Sequence, residues 1–224
     1  MKIKERDFGG MYTLCISNPS KLYMTSDSHW GHFNITKYCH RPFESRSEMD
    51  KDLIENWNSV VPEDGIVVHC GDFMLPHKTG DKEYSKIWKK LNFKTLVLCR
   101  GNHDRIECGT YQYDNKTVIV TDFTMIHVEG IKIMACHYPL LAYPADYQIF
   151  GHIHTLNDGT CYGVDGDVNA RLRKTQYDVG ADQNNYTPIS YWQLVDIFRN
   201  KAKNEKIIIF LWIKNLIKKF CFWT

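Results

Sequence analysis

Short apolar runs recur along the chain, and several of them stop abruptly at polar residues. Five runs have the length and composition of buried strands, and helical or turn segments separate them. They cover residues 21–26, 66–70, 95–99, 131–136 and 147–150. Strands that alternate with helices are typical of α/β proteins, so the pattern predicts an α/β fold.

Apolar residues at helical spacing predict the helices. Met49, Leu53 and Trp57 indicate an amphipathic helix that ends near Val60. Ser47 is predicted as its N-cap, because an acid stands at the fourth position of that segment. Further helices are predicted over residues 83–91 and after residue 190.

Turn residues define the remaining segments. Residues 105–115 are predicted as a polar loop, and residues 155–175 as a loop or a β-excursion. Additional strands are predicted over residues 11–17, 117–120 and 124–128.

Each of the five apolar runs ends in side chains that can bind a metal ion. These are Asp27 and His29, then Asp72, then Asn102 and His103, then His137, and finally His152 and His154. Ligands of open α/β sheets bind at the carboxyl ends of the strands. Clusters at five strand ends would therefore converge on one edge of the fold.

The chemistry of this set favours a centre of two metal ions. Mixed oxygen and nitrogen ligands without thiolate suit Mn, Fe, Zn or Ni. The side chains are too many for one tetrahedral ion, and two ions could share one bridging carboxylate. Paired ions ~3.5–4 Å apart are suited to the hydrolysis of phosphoesters.

The same blocks resemble the motifs of the calcineurin-like metallophosphoesterases, in the same order. They are Asp27-Ser28-His29, Gly71-Asp72, Gly101-Asn102-His103-Asp104, His137 and Gly151-His152-Ile153-His154. The resemblance implies a four-layer αββα metallophosphatase-like sandwich with two mixed β-sheets. It also implies a metal-dependent hydrolase in which metal-bound hydroxide attacks a phosphomonoester or a phosphodiester. Residues 30–35 are similar to a branch of small bacterial and phage members.

The resemblance implies a role for each motif residue. One ion would be held by Asp27, His29, Asp72 and His154, and the other by Asp72, Asn102, His137 and His152. The two divalent ions are predicted to be Mn, with Fe, Ni, Zn or Mg as alternatives. His103 would be an unligated catalytic histidine that faces the phosphoryl group, and Asp104 would orient it. Gly101 would let the chain turn tightly.

Three residues after the first motif are candidates for substrate binding. His32, Asn34 and Arg41 could line the cleft, with Arg41 contacting a phosphate. They could equally cap a turn and form pairs at the surface. Asp182 is a further candidate for a supporting role.

Length and charge narrow the function further. The chain has 224 residues, and we predict one metallophosphoesterase domain over residues 1–205. A net charge of +2 and the absence of a basic, aromatic-rich run give no strong signal for nucleic acid. A small phosphorylated substrate is therefore expected. A cyclic-nucleotide phosphodiesterase or a nuclease on the same centre, and a non-catalytic binding scaffold, are the alternatives.

The cysteines and the N-terminus indicate a reducing compartment. The eight cysteines include no C-x-x-C pair, and residues 1–7 lack the apolar core of a signal peptide. We therefore expect mostly free thiols and a cytoplasmic location.

Residues 206–224 form an apolar and basic C-terminal tail whose role stays open. The apolar run is too short to span a membrane. It could pack on the domain as an edge strand or helix, form a dimer contact, or lie on a membrane surface with its lysines at the headgroups.

Overall fold

A computed structural model describes residues 11–156, 160–161 and 171–203. Within these ranges the strands form two mixed sheets. The expectations for residues 1–7 and for the tail at 206–224 lie outside the described residues, as does most of the 155–175 segment.

In the described residues, three α-helices lie among the first four strands, and a fourth helix follows the last strand. The strands are β1 (Met11–Ile16), β2 (Leu22–Thr25), β3 (Ile66–His69), β4 (Thr95–Cys99), β5 (Gly109–Tyr113), β6 (Lys116–Thr121), β7 (Phe123–Val128), β8 (Ile131–Cys136), β9 (Tyr147–Phe150), β10 (Gln176–Asp178) and β11 (Ile189–Ser190). The helices are α1 (Ile35–Tyr38), α2 (Arg46–Val60), α3 (Lys82–Trp88) and α4 (residues 191–203).

The two sheets differ in size but share a mixed topology. The six-stranded sheet has the order β11-β2-β3-β4-β6-β5, with the four central strands parallel and both edge strands antiparallel. The five-stranded sheet has the order β1-β7-β8-β9-β10, and only β7 and β8 pair antiparallel. The predicted α/β class with two mixed sheets is confirmed.

Two apolar clusters hold the layers together. One cluster joins the outer face of the six-stranded sheet to α2 and α3, and it includes Leu53, Trp57 and Trp88. The other lies between the two sheets and includes Val97, Ile149 and, from α4, Phe198. Parallel strands buried on both faces need continuous apolar sequence, which is what β3 and β4 have.

Two local features differ from the sequence predictions. Helix α2 is capped by Ser45 and not by Ser47, because the Ser45 side chain accepts a hydrogen bond from the Glu48 backbone N–H. Glu48 in turn accepts one from the N–H of Glu44. The polar segment 105–115 contains β5, which pairs with β6 at the sheet edge. Its polar composition is compatible with an edge strand that solvent reaches.

The described helices are all too short or too polar to cross a membrane. No disulfide links the cysteines in the described ranges, and Cys70, Cys99 and Cys136 are buried at the ends of β3, β4 and β8. At these positions cysteine packs as a small hydrophobic side chain.

The packing of α2 against the sheet can be tested at Trp57. This side chain is 1% exposed, and its indole N–H donates to the Asn92 carbonyl at 2.8 Å. Replacement by alanine leaves a cavity, so Trp57→Ala is expected to lower the free energy of unfolding by about 3–5 kcal/mol in urea denaturation. The control is Trp192→Ala, because Trp192 is 44% exposed. Equal effects of the two substitutions would contradict this assignment of the core.

Candidate metal centre

The structure brings all seven predicted ligand residues together at one end of the sandwich. Those after β2, β3 and β4 come from the six-stranded sheet, and those after β8 and β9 come from the five-stranded sheet. The centre therefore lies at the seam between the two sheets. The sequence predicted convergence on one edge, and the structure shows that two sheets supply it.

Four side chains form what we call the first position. The Asp27 Oδ1 atom lies 3.9 Å from His29 Nε2 and 3.8 Å from His154 Nε2. The Asp72 Oδ2 atom lies 3.6 Å from the same His29 nitrogen. Oxygen and nitrogen atoms thus face one another at separations that one ion could bridge.

The second position shares Asp72 with the first. The Asp72 Oδ2 atom lies 3.5 Å from His137 Nε2, which lies 3.0 Å from Asn102 Oδ1. The His152 ring completes this group, with its centroid 5.0 Å from that of His137. Because one Asp72 oxygen is close to both His29 and His137, its carboxylate has the placement of a bridging ligand.

One buried atom fits a metal ligand better than any other role. The Nε2 atom of His29 is fully buried and has no hydrogen-bond partner among the described residues. Buried polar atoms are nearly always paired, so this one is expected to have a partner that the protein does not supply. The surrounding donors are carboxylate oxygen, amide oxygen and imidazole nitrogen, which suit Mn, Fe or Zn. The residues present therefore fit a divalent metal.

The electrostatics of the two positions differ. Burial lowers the pKa of His29 well below its usual range, and the neighbouring His154 adds to this effect, so the ring keeps a free lone pair. Burial also lowers the pKa of His137, but hydrogen bonding to Asp72 and the charge of Asp27 outweigh it and raise the value to about 9. An ion bound by His137 would displace that proton.

Five of the seven candidate ligands adopt a left-handed backbone conformation. The φ angles are 54° for Asp27, 54° for His29, 51° for Asp72, 72° for His152 and 46° for His154. This region costs a non-glycine residue about 1 kcal/mol or more, and such strain clusters at functional sites. Backbone hydrogen bonds between the loops stabilise this conformation. They run from Asp27 N to Gly71 O and from His29 N to Asp72 O.

Two glycines allow the loops to approach the carboxylates. A Cβ atom at Gly101 would overlap the Asp72 side chain, and one at Gly151 would overlap that of Asp27. The backbone N–H of His103 can therefore donate to Asp72, and that of His152 can donate to Asp27. This steric role adds to the tight turn predicted at Gly101, whose carbonyl accepts a hydrogen bond from Asp104 N at 3.3 Å.

His103 lies at the solvent-exposed edge of this group of side chains. Its side chain is 36% exposed, and its Nε2 atom lies 3.9 Å from Asp72 Oδ2. Its ring centroid lies 5.3 Å from that of His29. The ring is thus close to both positions and still open to a bound molecule.

Asp104 does not orient the His103 ring as the sequence analysis expected. No hydrogen bond joins the two side chains in this part of the structure. The Asp104 carboxylate instead accepts hydrogen bonds from the backbone N–H groups of Phe73 and Gly101 and from the Tyr84 hydroxyl. Burial raises the pKa of Asp104 to about 6. Its role is to join the loops after β3 and β4.

The three candidates for substrate binding occupy different environments. The His32 ring lies 5.5 Å from those of His29 and His103, beside the centre. Asn34 is exposed at the start of α1. Arg41 has a fully buried side chain, so the structure does not support a phosphate contact for it.

The Arg41 side chain instead stabilises the backbone of the first motif, Asp27-Ser28-His29. Its guanidinium donates to the backbone carbonyls of Asp27 and Ser28 at 2.6 and 3.1 Å, and to both carboxylate oxygens of Asp182. Asp182 also bonds His154 Nδ1 at 2.8 Å. Burial disfavours the charged Asp182 carboxylate, but Arg41 and His154 outweigh it and lower its pKa to about 2. The Arg41–Asp182 ion pair therefore connects the first motif, which contains Asp27, to the last motif, which contains His154.

His69 is a supporting residue that the sequence analysis treated only as part of a strand. It is fully buried, and its Nδ1 atom accepts a hydrogen bond from Gly71 N at 3.2 Å. Burial lowers its pKa to about 3, so the ring is neutral and its Nε2 carries the proton. That nitrogen lies 2.9 Å from the Ser28 hydroxyl, so His69 joins the loops after β2 and β3.

Comparisons with known proteins identify the family of the chain. A sequence profile described as the calcineurin-like phosphoesterase superfamily domain matches residues 21–170. An uncharacterized protein of Methanocaldococcus jannaschii is 34% identical over 173 residues, which is 76% of this chain and 86% of that protein.

The sequence identity to the following two solved structures is lower. A protein of unknown function from Aquifex aeolicus is 25% identical with a TM-score of 0.56, and the match covers 79% of this chain and 98% of that one. A novel archaeal phosphodiesterase is 17% identical over 72% of this chain and 83% of its own. Its TM-score of 0.33 is too low to support an argument.

The contact between Asp182 and His154 predicts a selective effect on metal binding. Partners that orient a ligating histidine are typically worth 10–100-fold in affinity, so Asp182→Asn is expected to weaken Mn²⁺ binding at the first position by roughly that factor. Titration calorimetry with Mn²⁺ measures both binding steps. Asp196→Asn on α4 is the control, because that carboxylate is exposed. Unchanged affinity at both steps in Asp182→Asn would refute the supporting role.

Proposed function

Because the chain belongs to the calcineurin-like phosphoesterase superfamily, we propose that it is a metal-dependent hydrolase of small phosphomonoesters or phosphodiesters. Two divalent ions, with Mn first among the candidates, would occupy the first and second positions. The phosphoryl group would bind between them and His103.

The single observation that carries this proposal is the completeness of the centre. Two buried carboxylates, one amide and four imidazoles converge, and the unpaired Nε2 of His29 points among them. A protein that used this fold only as a binding scaffold would have no need to keep every ligand. It would also have no need for a strained backbone at five of them.

The ions and the protein would supply different parts of the chemistry. Bound ions would offset the charge of the phosphoryl oxygens and activate water for attack on phosphorus. The protein fixes the carboxylates through backbone N–H groups and holds the imidazoles in place through Asp182 and the Cys70 carbonyl, which lies 2.9 Å from His137 Nδ1. Little reorganisation would then be needed when a substrate binds.

His103 is the residue best placed to act on the substrate itself. Its ring is partly exposed beside Asp72 and outside both proposed ligand sets. An imidazole can donate a proton near neutral pH, so His103 would stabilise the phosphoryl group or protonate the leaving oxygen. The His32 ring lies 5.5 Å from the His103 ring and adds a second imidazole to this side of the site.

A substitution at His103 separates metal binding from turnover. His103→Ala is expected to keep both metal ions and to lower kcat by about 10²–10⁴-fold, the usual contribution of a general acid. The assay uses p-nitrophenyl phosphate and its bis-ester with Mn²⁺, and metal content is measured on the same samples. His77→Ala is the matched control, because His77 is exposed. A His103→Ala protein with wild-type kcat would overturn this role.

A further inference from the structure

We propose that Tyr138 forms a stacking subsite beside the metal centre, which selects phosphoesters that carry a flat aromatic group such as a nucleobase. This inference rests on the proposed function, and it adds the chemical class of the substituent on the phosphate. The sequence places Tyr138 between His137 and Pro139, where an aromatic side chain could either shape the pocket or simply pack.

Tyr138 stands directly against the second position. Its ring centroid lies 4.9 Å from that of His137 and 4.7 Å from that of His152, at interplanar angles of 72° and 66°. Edge-to-face contacts of this kind fix the ring without covering it. Tyr138 is 45% exposed, so a part of its surface is free beside the two candidate ligands.

Two buried glutamines hold the backbone of this segment. The Gln148 amide nitrogen donates to the Tyr138 carbonyl at 2.9 Å, and its oxygen accepts from Leu140 N at 3.0 Å. The Gln176 amide nitrogen donates to the Leu140 carbonyl at 2.9 Å. Both glutamines are at most 3% exposed. Buried amides are costly unless they are bonded, and here their bonds fix the segment that carries Tyr138.

A rigid exposed ring at this place suits one class of substituent. A phosphoryl group at the second position would hold its ester substituent next to the Tyr138 ring. The ring has no charge to offer a second phosphate or a carboxylate. Its π-face complements another flat ring, and stacking of a base on an aromatic side chain is worth roughly 5- to 150-fold in affinity when tested by alanine substitution.

Binding of phosphonates tests the subsite without turnover. The Mn²⁺-loaded full-length protein is titrated by calorimetry with phenylphosphonate and with cyclohexylphosphonate, which are similar in size but differ in aromaticity. The wild type is expected to bind phenylphosphonate more tightly. Tyr138→Ala should lower that affinity roughly 5- to 150-fold and leave the affinity for cyclohexylphosphonate nearly unchanged, whereas Tyr138→Phe should resemble the wild type.

A matched control comes from the same segment. Leu141 is 92% exposed, and Leu141→Ala should change neither affinity. Equal losses for both phosphonates in Tyr138→Ala would show that Tyr138 only supports the histidines, and no loss would show that the ring does not contact the ligand. Either result overturns the proposal, as does a wild type that does not bind phenylphosphonate. The proposed function fails separately, if the wild type hydrolyses no phosphoester.

Discussion

Two carboxylates buried in one small volume, those of Asp27 and Asp72, constrain the rest of the structure. They are 0% and 2% exposed, and burying such charges is costly unless they are compensated. The backbone N–H groups of His103 and His152 donate to them, and glycines at 101 and 151 make room for that approach. The imidazoles of His29, His137 and His154 face these carboxylates, and this set of oxygen and nitrogen donors is the physical reason for proposing two divalent cations.

The sandwich of two sheets explains how so many ligands reach the same point. One sheet delivers the two carboxylates and Asn102, and the other delivers His137, His152 and His154. The apolar cluster between the sheets fixes their separation, and the Arg41–Asp182 pair joins the ends of the two ligand groups. A change in the packing between the sheets would therefore alter the spacing of the proposed metal positions. The geometry of the metal centre thus depends on the packing of the core.

Much of this arrangement could be predicted from local sequence, and the exceptions have a common cause. The apolar runs and the polar residues at their ends were sufficient to place β2, β3, β4, β8 and β9, because hydrophobic periodicity and strand ends are local signals. The phosphate contact predicted for Arg41 was wrong, because its ion-pair partner Asp182 lies 141 residues away in the sequence. Asp104 was misassigned for the same reason, since its donors include Phe73 and Tyr84 from another part of the chain. The left-handed backbone at the ligands could not be placed from local sequence, because aspartate and histidine adopt it in only a small share of their positions and the surrounding loops hold it here.

The direct test is a crystal structure of the protein grown with Mn²⁺, with data collected for anomalous scattering. The arrangement of the side chains predicts two Mn²⁺ peaks roughly 3.5–4 Å apart, one on each side of the Asp72 carboxylate. The first would be bound by Asp27, His29 and His154, and the second by Asn102, His137 and His152. A single peak, or none at saturating Mn²⁺, would contradict the proposed two-metal centre.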